Sequence, residues 1–453
     1  MSSRLQVVLT IAAIIGIGGY LGALTWSMQR SSYDFWGALL LGPLIIGLPV
    51  PFVLWVARRD PDPRMPRLIV MALWLKLAGT ALRYLIGYHV YGRGDATTYH
   101  EQGKLIASAY RNGIFDVPYG RGGTGTRFIQ YVTGWIYTAT GPSRFVSFLI
   151  FSWFGFIGVY FFYQAFRLAY PGGDHRRYAI LLFFLPSLLY WPSILGKEAW
   201  MVMALGVTAY GVARLLTSGR GAFLILGVGI WATAMVRPHV AILVLVGLVA
   251  GYLLRRAKTP GARVAKIVGL AVLLGAMSFV VTRAEGYFGL ESFSADSATA
   301  VLDNTESRTG QGGSAFAGAR VRSPIDLPWA TVTVLFRPFP FEADNAQTAI
   351  ASAEGLVLAG ILVVSLPRLR RLPRELRKAP YIGFAATFAL VFIIAFSSLN
   401  NFGILARERV QAYPLLLVLA CLPLASTGRY QAGVGPGEES DSERLHVGTE
   451  RGR

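Results

Sequence analysis

This chain of 453 residues is poor in cysteine, histidine and charged residues. Its one cysteine, Cys421, excludes an intramolecular disulfide framework and gives no information about the redox compartment. The five histidines occur at no spacing typical of a zinc site. Only 15% of the residues are charged, against roughly 25% in ordinary soluble domains. These shortages argue against a disulfide-stabilised domain, a zinc-binding module and a typical soluble enzyme.

Apolar residues, in contrast, are abundant: 54% of the chain is hydrophobic and the mean hydropathy is +0.49. A bilayer core needs about 20 apolar residues per helix. We therefore predict an all-α fold, a polytopic membrane helix bundle of about twelve spans whose two long extracytoplasmic loops carry short interfacial helices. The first span is interpreted as a retained helix and not as a removed signal peptide. The predicted spans are residues 6–28, 36–57, 68–90, 144–169, 178–195, 199–217, 222–236, 238–255, 266–282, 348–366, 380–398 and 408–425.

The formal charge of +19 comes mostly from short loops between apolar runs, which indicates membrane topology and not a nucleic-acid partner. Four basic clusters, Arg58–Arg67, Pro171–Arg177, Arg255–Lys266 and Pro367–Pro380, fall on one side of the membrane if residues 126–141 do not cross it. Positive residues favour the cytoplasmic side. We expect a multi-pass protein of the cytoplasmic membrane with both termini in the cytoplasm.

These patterns predict five regions. They are an N-terminal hairpin (1–67), a membrane module (68–282) with a catalytic loop at 91–143, a long extracytoplasmic loop (283–347), C-terminal membrane helices (348–425) and a disordered cytoplasmic tail (426–453).

The polar stretch Tyr91–Arg127 separates two apolar regions. Loops of this length are usually functional or disordered, and its aromatic residues and the short helix expected at 97–110 favour function. Asp95 stands at its head, where a membrane would meet water. The loop is basic although it is predicted to be extracytoplasmic, which suggests that it binds a phosphate or pyrophosphate head group, or anionic membrane lipid. Its cations are Arg93, Lys104, Arg111, Arg121 and Arg127, against the acids Asp95, Glu101 and Asp116.

The same topology brings other polar residues to the extracytoplasmic face. We predict a site in which a carboxylate activates a hydroxyl and cations stabilise a departing phosphate. Each residue also has a plainer interpretation as a turn, an interfacial anchor or part of an aromatic belt. The candidate binding residues are His100, Lys197, Glu198, Arg237, His239, Arg337, Glu342, Asn401 and Arg407.

Two segments carry a family resemblance. GDATTYHEQGKLIASAYRNG resembles the first extracytoplasmic loop of polyprenyl-phosphate-dependent glycosyltransferases of the C-type membrane fold, and LPSLLYWPSILGKEAW resembles the second external loop of that module. The resemblance covers roughly residues 68–217. It implies inverting transfer of a sugar from an undecaprenyl- or decaprenyl-phosphate donor to a glycan or lipid acceptor outside the membrane.

In that resemblance Asp95 takes the place of the catalytic acid, as general base or as ligand of a divalent cation, Mg²⁺ or Mn²⁺. The chain departs from the pattern in having two spans before the one leading to Asp95 and a single Asp where an acidic pair is frequent. Glu101 is the candidate second carboxylate, which leaves the metal dependence open. We expect no large soluble C-terminal domain, so that acceptor recognition would fall to the loops.

Two other functions are compatible with the same residues. A polysaccharide polymerase or ligase of the O-antigen type would depend more on Arg237, Arg337 and Arg407 than on Asp95. A transporter of lipid-linked saccharides would often show an internal repeat and a site at the bilayer midplane. The sequence shows no repeat, and its polar residues gather at one surface.

Overall fold

The fold is helical throughout the part of the chain that the computed structural model describes, which is residues 3–90, 94–117, 123–217, 221–256, 259–292, 294–311 and 314–424. These residues form no strand, only one isolated bridge between Ala315 and Asn401. The prediction of an all-α chain is confirmed. Arg93, Arg121 and the tail 426–453 lie outside the described residues.

Short helices are interspersed with long apolar helices along the chain. Short 3₁₀ or π segments adjoin several of them, at Ile86–Val90, Pro324–Asp326, Pro340–Glu342 and Arg409–Gln411. The α-helices of the described residues are α1 (Ser3–Arg30), α2 (Tyr33–Gly47), α3 (Val50–Ala57), α4 (Met65–Leu85), α5 (Asp95–Arg111), α6 (Thr126–Thr140), α7 (Arg144–Ala169), α8 (His175–Phe184), α9 (Pro186–Tyr190), α10 (Lys197–Thr217), α11 (Ala222–Val236), α12 (Pro238–Leu254), α13 (Pro260–Phe288), α14 (Ala295–Thr309), α15 (Leu327–Phe336), α16 (Ala346–Leu369), α17 (Leu372–Lys378), α18 (Pro380–Phe396), α19 (Phe402–Glu408) and α20 (Tyr413–Leu419).

Within the described residues, seven segments are long and apolar enough to cross a membrane by length and composition. They are Arg4–Arg30, Tyr33–Ala57, Met65–Tyr88, Arg144–Ala169, Lys197–Thr217, Arg263–Phe288 and Ala346–Leu369. They coincide with seven of the twelve predicted spans.

The other five predicted spans are shorter or interrupted. Helices α11, α12 and α18 are apolar but have only 15 to 17 residues. The span expected at 178–195 divides into α8 and α9, because Pro186 forces Leu185 out of the helical conformation to a ψ of 121°. In the last predicted span, 408–425, helix α20 is seven residues long.

Helices α7 and α10 run parallel at the centre of the bundle, as the ring contacts Phe154–Trp200 and Phe161–Tyr210 show. Their backbones touch because Gly158 and Gly206 lie at the crossing. A Cβ atom on Gly206 would lie 2.2 Å from the Gly158 carbonyl oxygen. This close packing fixes the start of α10, where Lys197 and Glu198 lie.

The helices meet in polar contacts at two opposite ends of the bundle. At one, here called the basic end because it carries the loops 58–67, 171–177 and 367–380, Arg167 pairs with Asp60 at 2.5 Å and Arg368 pairs with Asp174 at 2.9 Å. The Tyr170 hydroxyl donates to the buried Glu375 carboxylate there, at 2.7 Å.

The opposite end is here called the cleft end. Helix α6 lies in the segment 126–141, which we expected not to cross the membrane. Both ends of α6 form hydrogen bonds with helices that begin or end at the cleft end. Before its first residue, the Gly125 N–H donates to the Met235 carbonyl at 2.7 Å, at the end of α11. At its last residue, the Thr140 carbonyl accepts from the Tyr33 hydroxyl, at the start of α2. Helix α5 packs along α6, so both lie across the cleft end.

Candidate functional site

Asp95 is the first residue of α5, directly after Gly94, whose backbone is extended. The unpaired N–H groups of a helix N-terminus favour a carboxylate at this place. The Asp95 side chain is 66% exposed, and its Oδ2 lies 3.2 Å from Nη1 of Arg407. The carboxylate is therefore held at the surface by one arginine and stays accessible.

Arg407 connects Asp95 to a second carboxylate. Its Nε lies 3.1 Å from Oε1 of Glu198, which is buried in the second position of α10. Chiefly because of Glu198, and then Glu408 and Asp95, the pKa of Arg407 is raised above its ordinary value although burial opposes this. Arg407 is thus a permanently charged group between two acids.

Glu198 also contacts Arg237, whose Nη2 lies 3.7 Å from Oε1 of Glu198. Arg237 lies at the break between α11 and α12 and donates both terminal nitrogens to Glu408, one of them at 2.6 Å. Gln411 Nε2 donates to the same Glu408 carboxylate at 2.6 Å. Three carboxylates and two guanidinium groups therefore form one chain of contacts from the surface into the interior. We call Asp95, Glu198, Arg237, Arg407 and Glu408 the charge cluster.

The charge cluster borders a cleft of about 290 Å³. Asp95, Glu198 and Arg407 line it on one side, and aromatic side chains line much of the rest. A concave site with apolar walls and a few fixed polar groups is the usual form of a small-ligand site. The aromatic lining consists of Tyr88, Tyr99, Phe148 and Trp191.

Arg83 is a cleft residue that the sequence reasoning missed. It lies near the end of α4, where its guanidinium stacks 4.5 Å from the Tyr190 ring centre and 5.0 Å from that of Trp191. Nη1 donates to the Tyr190 hydroxyl at 2.6 Å, while Nε makes no hydrogen bond to the described residues. An arginine inside an apolar run is itself a functional signal, and it could have been found by that rule.

Lys197 begins α10 beside Glu198 and is half-buried; it does not itself line the cleft, although its neighbours Gly196 and Glu198 do. It makes no hydrogen bond or ion pair with the described residues, unlike Arg237 and Arg407. An ammonium group in this position can bind an anion without first breaking an ion pair.

Glu101 does not face the cleft. Its carboxylate pairs with Lys104 at 2.6 Å and lies 3.8 Å from Nη2 of Arg144. These contacts keep the pKa of Glu101 below its ordinary value, with the hydrogen bond from Lys104 as the main cause. The acid that shares a partner with Asp95 is Glu198.

His100 is buried between α5 and α6, with its Nδ1 2.7 Å from the Tyr137 hydroxyl. Burial, reinforced by Arg144, lowers its pKa to about 4. The imidazole is therefore neutral near pH 7 and connects the two helices. It does not line the cleft.

His239 and Asn401 also lie outside the cleft lining. His239 packs against Tyr287, Phe288 and Phe396 and its Nδ1 has no hydrogen-bond partner in the described chain. The Asn401 side chain accepts from the Ile404 N–H at 3.1 Å and so caps α19, the helix that carries Arg407.

Arg337 and Glu342 pair with each other and do not line the cleft. The Arg337 guanidinium stacks on the rings of Phe316 and Phe402, 4.4 and 5.4 Å from their centres. Burial opposes ionisation of Glu342, but the bonds from Arg337 and the Phe339 N–H leave its pKa below the ordinary value. This pair braces the start of α19 from the side.

A divalent-cation site of several acidic ligands is not assembled around Asp95 and Glu101. Among the described residues, no group of three or more His, Cys, Asp or Glu side chains could hold a metal ion.

The chain was compared with protein-family models, curated proteins and solved structures. None of the three comparisons found a match.

Proposed function

We propose that this chain is an integral membrane glycosyltransferase that transfers a sugar from a polyprenyl-phosphate donor to a glycan or lipid acceptor on the extracytoplasmic face. The observation that supports it best is the contact of Asp95 with Arg407 and of Arg407 with Glu198 in one cleft. Residues from three distant parts of the chain thereby place an accessible carboxylate among cations and aromatic surfaces.

Asp95 is the general base of the proposed reaction. Its carboxylate accepts the proton of the acceptor hydroxyl while that oxygen bonds to the anomeric carbon of the donor. The bond between the anomeric carbon and the phosphate oxygen breaks, and its electron pair stays on the polyprenyl phosphate. One attack from the side opposite the phosphate inverts the anomeric centre.

Arg83 and Lys197 stabilise the negative charge that develops on the phosphate. The charge cluster alone cannot do so, because its two arginines already face three carboxylates. Neither Arg83 nor Lys197 has an ion pair with the described residues. Arg83 also lies five residues before the end of the apolar segment Met65–Tyr88, so in the proposed topology it would be near the depth of a lipid phosphate.

The proposal includes a topology. We propose about twelve spans. They are the seven long segments, α11, α12, α18, the broken helices α8 and α9 as one span, and the last span, 408–425, which contains α20. The cleft end lies outside and both termini lie in the cytoplasm. The concentration of basic residues at the opposite end supports it. Cysteine labelling tests it because Cys421 is buried. Phe115→Cys should react from outside and Arg370→Cys only after permeabilisation, and the reverse pattern would refute the orientation.

The enzymatic role is tested by Asp95→Asn in a strain deleted for the chromosomal copy, with surface polysaccharide mass as the readout. The deletion should remove one sugar branch, and wild-type protein but not Asp95→Asn should restore it. Asp116→Asn is the matched control, since this exposed acid lies after α5 and outside the cleft. Full restoration by Asp95→Asn, at equal protein level in the membrane, would eliminate the general-base role.

The same experiment separates the rival functions. Shortened chains with intact branches would indicate a polymerase, in which Arg407→Gln would be more harmful than Asp95→Asn. Accumulation of the complete lipid-linked saccharide inside the cell would indicate a transporter.

A further inference from the structure

A second recess lies at the basic end of the bundle, far from the cleft. It has a volume of about 730 Å³ and lies between the end of α12, helix α17 and the start of α18. Helices α12 and α18 pack together closely, since a Cβ on Gly251 would lie 2.9 Å from the Pro380 carbonyl oxygen. Helix α12 begins beside Arg237 and has 17 residues, so the recess is about 25 Å along the helix from the charge cluster. It is lined by Leu254, Arg256, Pro373, Arg374, Arg377, Lys378 and Pro380.

Four of these seven lining residues are cations, and none is an acid. Lys378 lies 3.6 Å from Glu375, which is buried behind it and bonded to Tyr170. The guanidinium groups of Arg256, Arg374 and Arg377 make no hydrogen bond or ion pair with the described residues. The recess is therefore concave, strongly positive and without an internal counter-charge for its arginines.

Membrane topology alone explains basic loops but does not require this arrangement. Other basic loops also carry arginines whose guanidinium groups make no hydrogen bond or ion pair with the described residues, such as Arg58 and Arg176. Each of these two lines a recess together with an engaged arginine: Arg59 stacks 3.5 Å from the Trp55 ring centre, and Arg177 donates to Ser365 at 2.8 Å. Arg368, just before α17, pairs with Asp174. The recess between α12, α17 and α18, in contrast, brings three arginines without such contacts into one cavity.

The apolar part of the lining also fits a phosphate ligand. Helix α18 begins at the edge of the recess and α12 ends there, so the two helix dipoles oppose each other and the positive potential comes from the side chains. Leu254, Pro373 and Pro380 supply apolar surface beside the cations. A phosphate joined to an apolar group would match both surfaces, and basic pockets between membrane helices commonly bind anionic lipid head groups.

We propose that this recess is a second anion site, which binds a phosphate group through Arg256, Arg374 and Arg377 at the basic end of the bundle. The same chemistry is offered by an anionic lipid head group and by free phosphate. The proposal does not depend on the glycosyltransferase function, because no residue of the recess belongs to the cleft.

The test is native mass spectrometry of the full chain. Phosphatidylglycerol, cardiolipin or phosphatidylcholine is added to the protein in detergent, and the lipid that stays bound after removal of the detergent is measured. Wild-type protein should retain the two anionic lipids in preference to phosphatidylcholine. Arg374→Gln/Arg377→Gln should weaken that retention roughly 30-fold, at about fivefold for each cation near a membrane surface. The matched control is Arg64→Gln/Arg67→Gln, which removes the same charge from two exposed positions of the 58–67 segment, outside the recess. It should change retention less than threefold, because screening limits charge effects to about 8 Å at physiological salt.

A parallel titration with inorganic phosphate, at constant ionic strength, separates the two sources. Phosphate binding without lipid retention, lost in Arg374→Gln/Arg377→Gln, would support the site and assign it to a soluble phosphate. Equal weakening by the recess variant and the control would show a general charge effect and overturn the proposal. Binding of neither probe by folded wild-type protein would also overturn it, and Arg256→Gln provides a milder variant should the double variant fail to fold.

Discussion

The ion pair between Arg237 and Glu408 should be the most sensitive point of the charge cluster. Both side chains are buried, at 6% and 7% exposure, and Glu408 accepts two bonds from Arg237 and one from Gln411. In Glu408→Gln the buried guanidinium would keep only Glu198, at 3.7 Å. Removing one partner of a buried pair costs about 3–5 kcal/mol, because the remaining charge is left without compensation. We expect a loss of that size in the free energy of unfolding.

The double variant Arg237→Met/Glu408→Leu gives the opposite expectation. Replacing both members of a buried pair by apolar side chains is often neutral or stabilising, because neither desolvated charge remains. Although Glu198 would then lose its weaker contact with Arg237, its contact with Arg407 at 3.1 Å would persist. The double variant should therefore be more stable than either single variant, with a coupling energy above about 2 kcal/mol in the cycle.

The assay is unfolding of the purified full chain in mixed detergent micelles, monitored by tryptophan fluorescence for wild type, both single variants and the double variant. Glu375→Gln is a useful comparison, since Glu375 is a buried acid at the basic end whose hydrogen-bond partner is the neutral Tyr170 and whose ion-pair partner, Lys378 at 3.6 Å, is exposed. Additive effects of the two single substitutions would show that Arg237 and Glu408 do not stabilise each other. Wild-type stability of Glu408→Gln would refute the reasoning about buried charge.

Two further predictions concern α5 and its neighbours. If the proposed function is correct, Glu198→Gln should reduce sugar transfer roughly 10- to 100-fold, since a contact with a charged group contributes about 1.5–3 kcal/mol. Glu101→Gln should keep activity near that of wild type in the same polysaccharide assay. If Glu101→Gln were the more harmful substitution, Glu101 would again be the candidate second carboxylate. His100 should make the protein less stable in acid: its folded pKa of about 4 lies below the unfolded value near 6.5, so its contribution is complete above pH 6.5 and is lost as the pH falls through 4. The melting temperature of wild type should therefore fall more between pH 7 and 4 than that of His100→Gln, which lacks the imidazole. Equal falls in the two proteins would refute this reasoning.

Apolar runs made much of the helical fold predictable. Length and hydropathy alone identify α1, α7 and α16, because a helix in an apolar solvent satisfies its own backbone groups. The division at Pro186 was not predicted, although proline gives a local reason for it. Hydropathy stays high across residues 178–195, so it gave no indication that the backbone leaves the helical conformation at Leu185.

Most residues of the charge cluster could be identified from the sequence, but the contacts between them could not. Asp95, Glu198, Arg237 and Arg407 were each identified as costly polar residues beside apolar segments. Glu408 was missed because it stands between two arginines and resembles a simple helix anchor. Pairing across more than 300 residues, as between Asp95 and Arg407, leaves no local signal in a single sequence.

Trp191, in the wall of the cleft, follows helix α9, which is held by polar side chains from distant parts of the sequence. Helix α9 is only five residues long, too short to be stable alone. The Glu354 carboxylate, from α16, accepts from the Ser187 N–H at 2.7 Å and from the Ser187 hydroxyl, at the N-terminal end of α9.

At the other end of α9, Lys76 Nζ, from α4, donates to the Leu188 carbonyl at 2.9 Å. The carboxylate at the start and the amine at the end satisfy N–H and C=O groups that so short a helix leaves unpaired. Both side chains are buried, so water does not screen these contacts. Trp191, which lines the cleft directly after α9, is thus positioned by residues 115 places before it and 163 places after it in the chain.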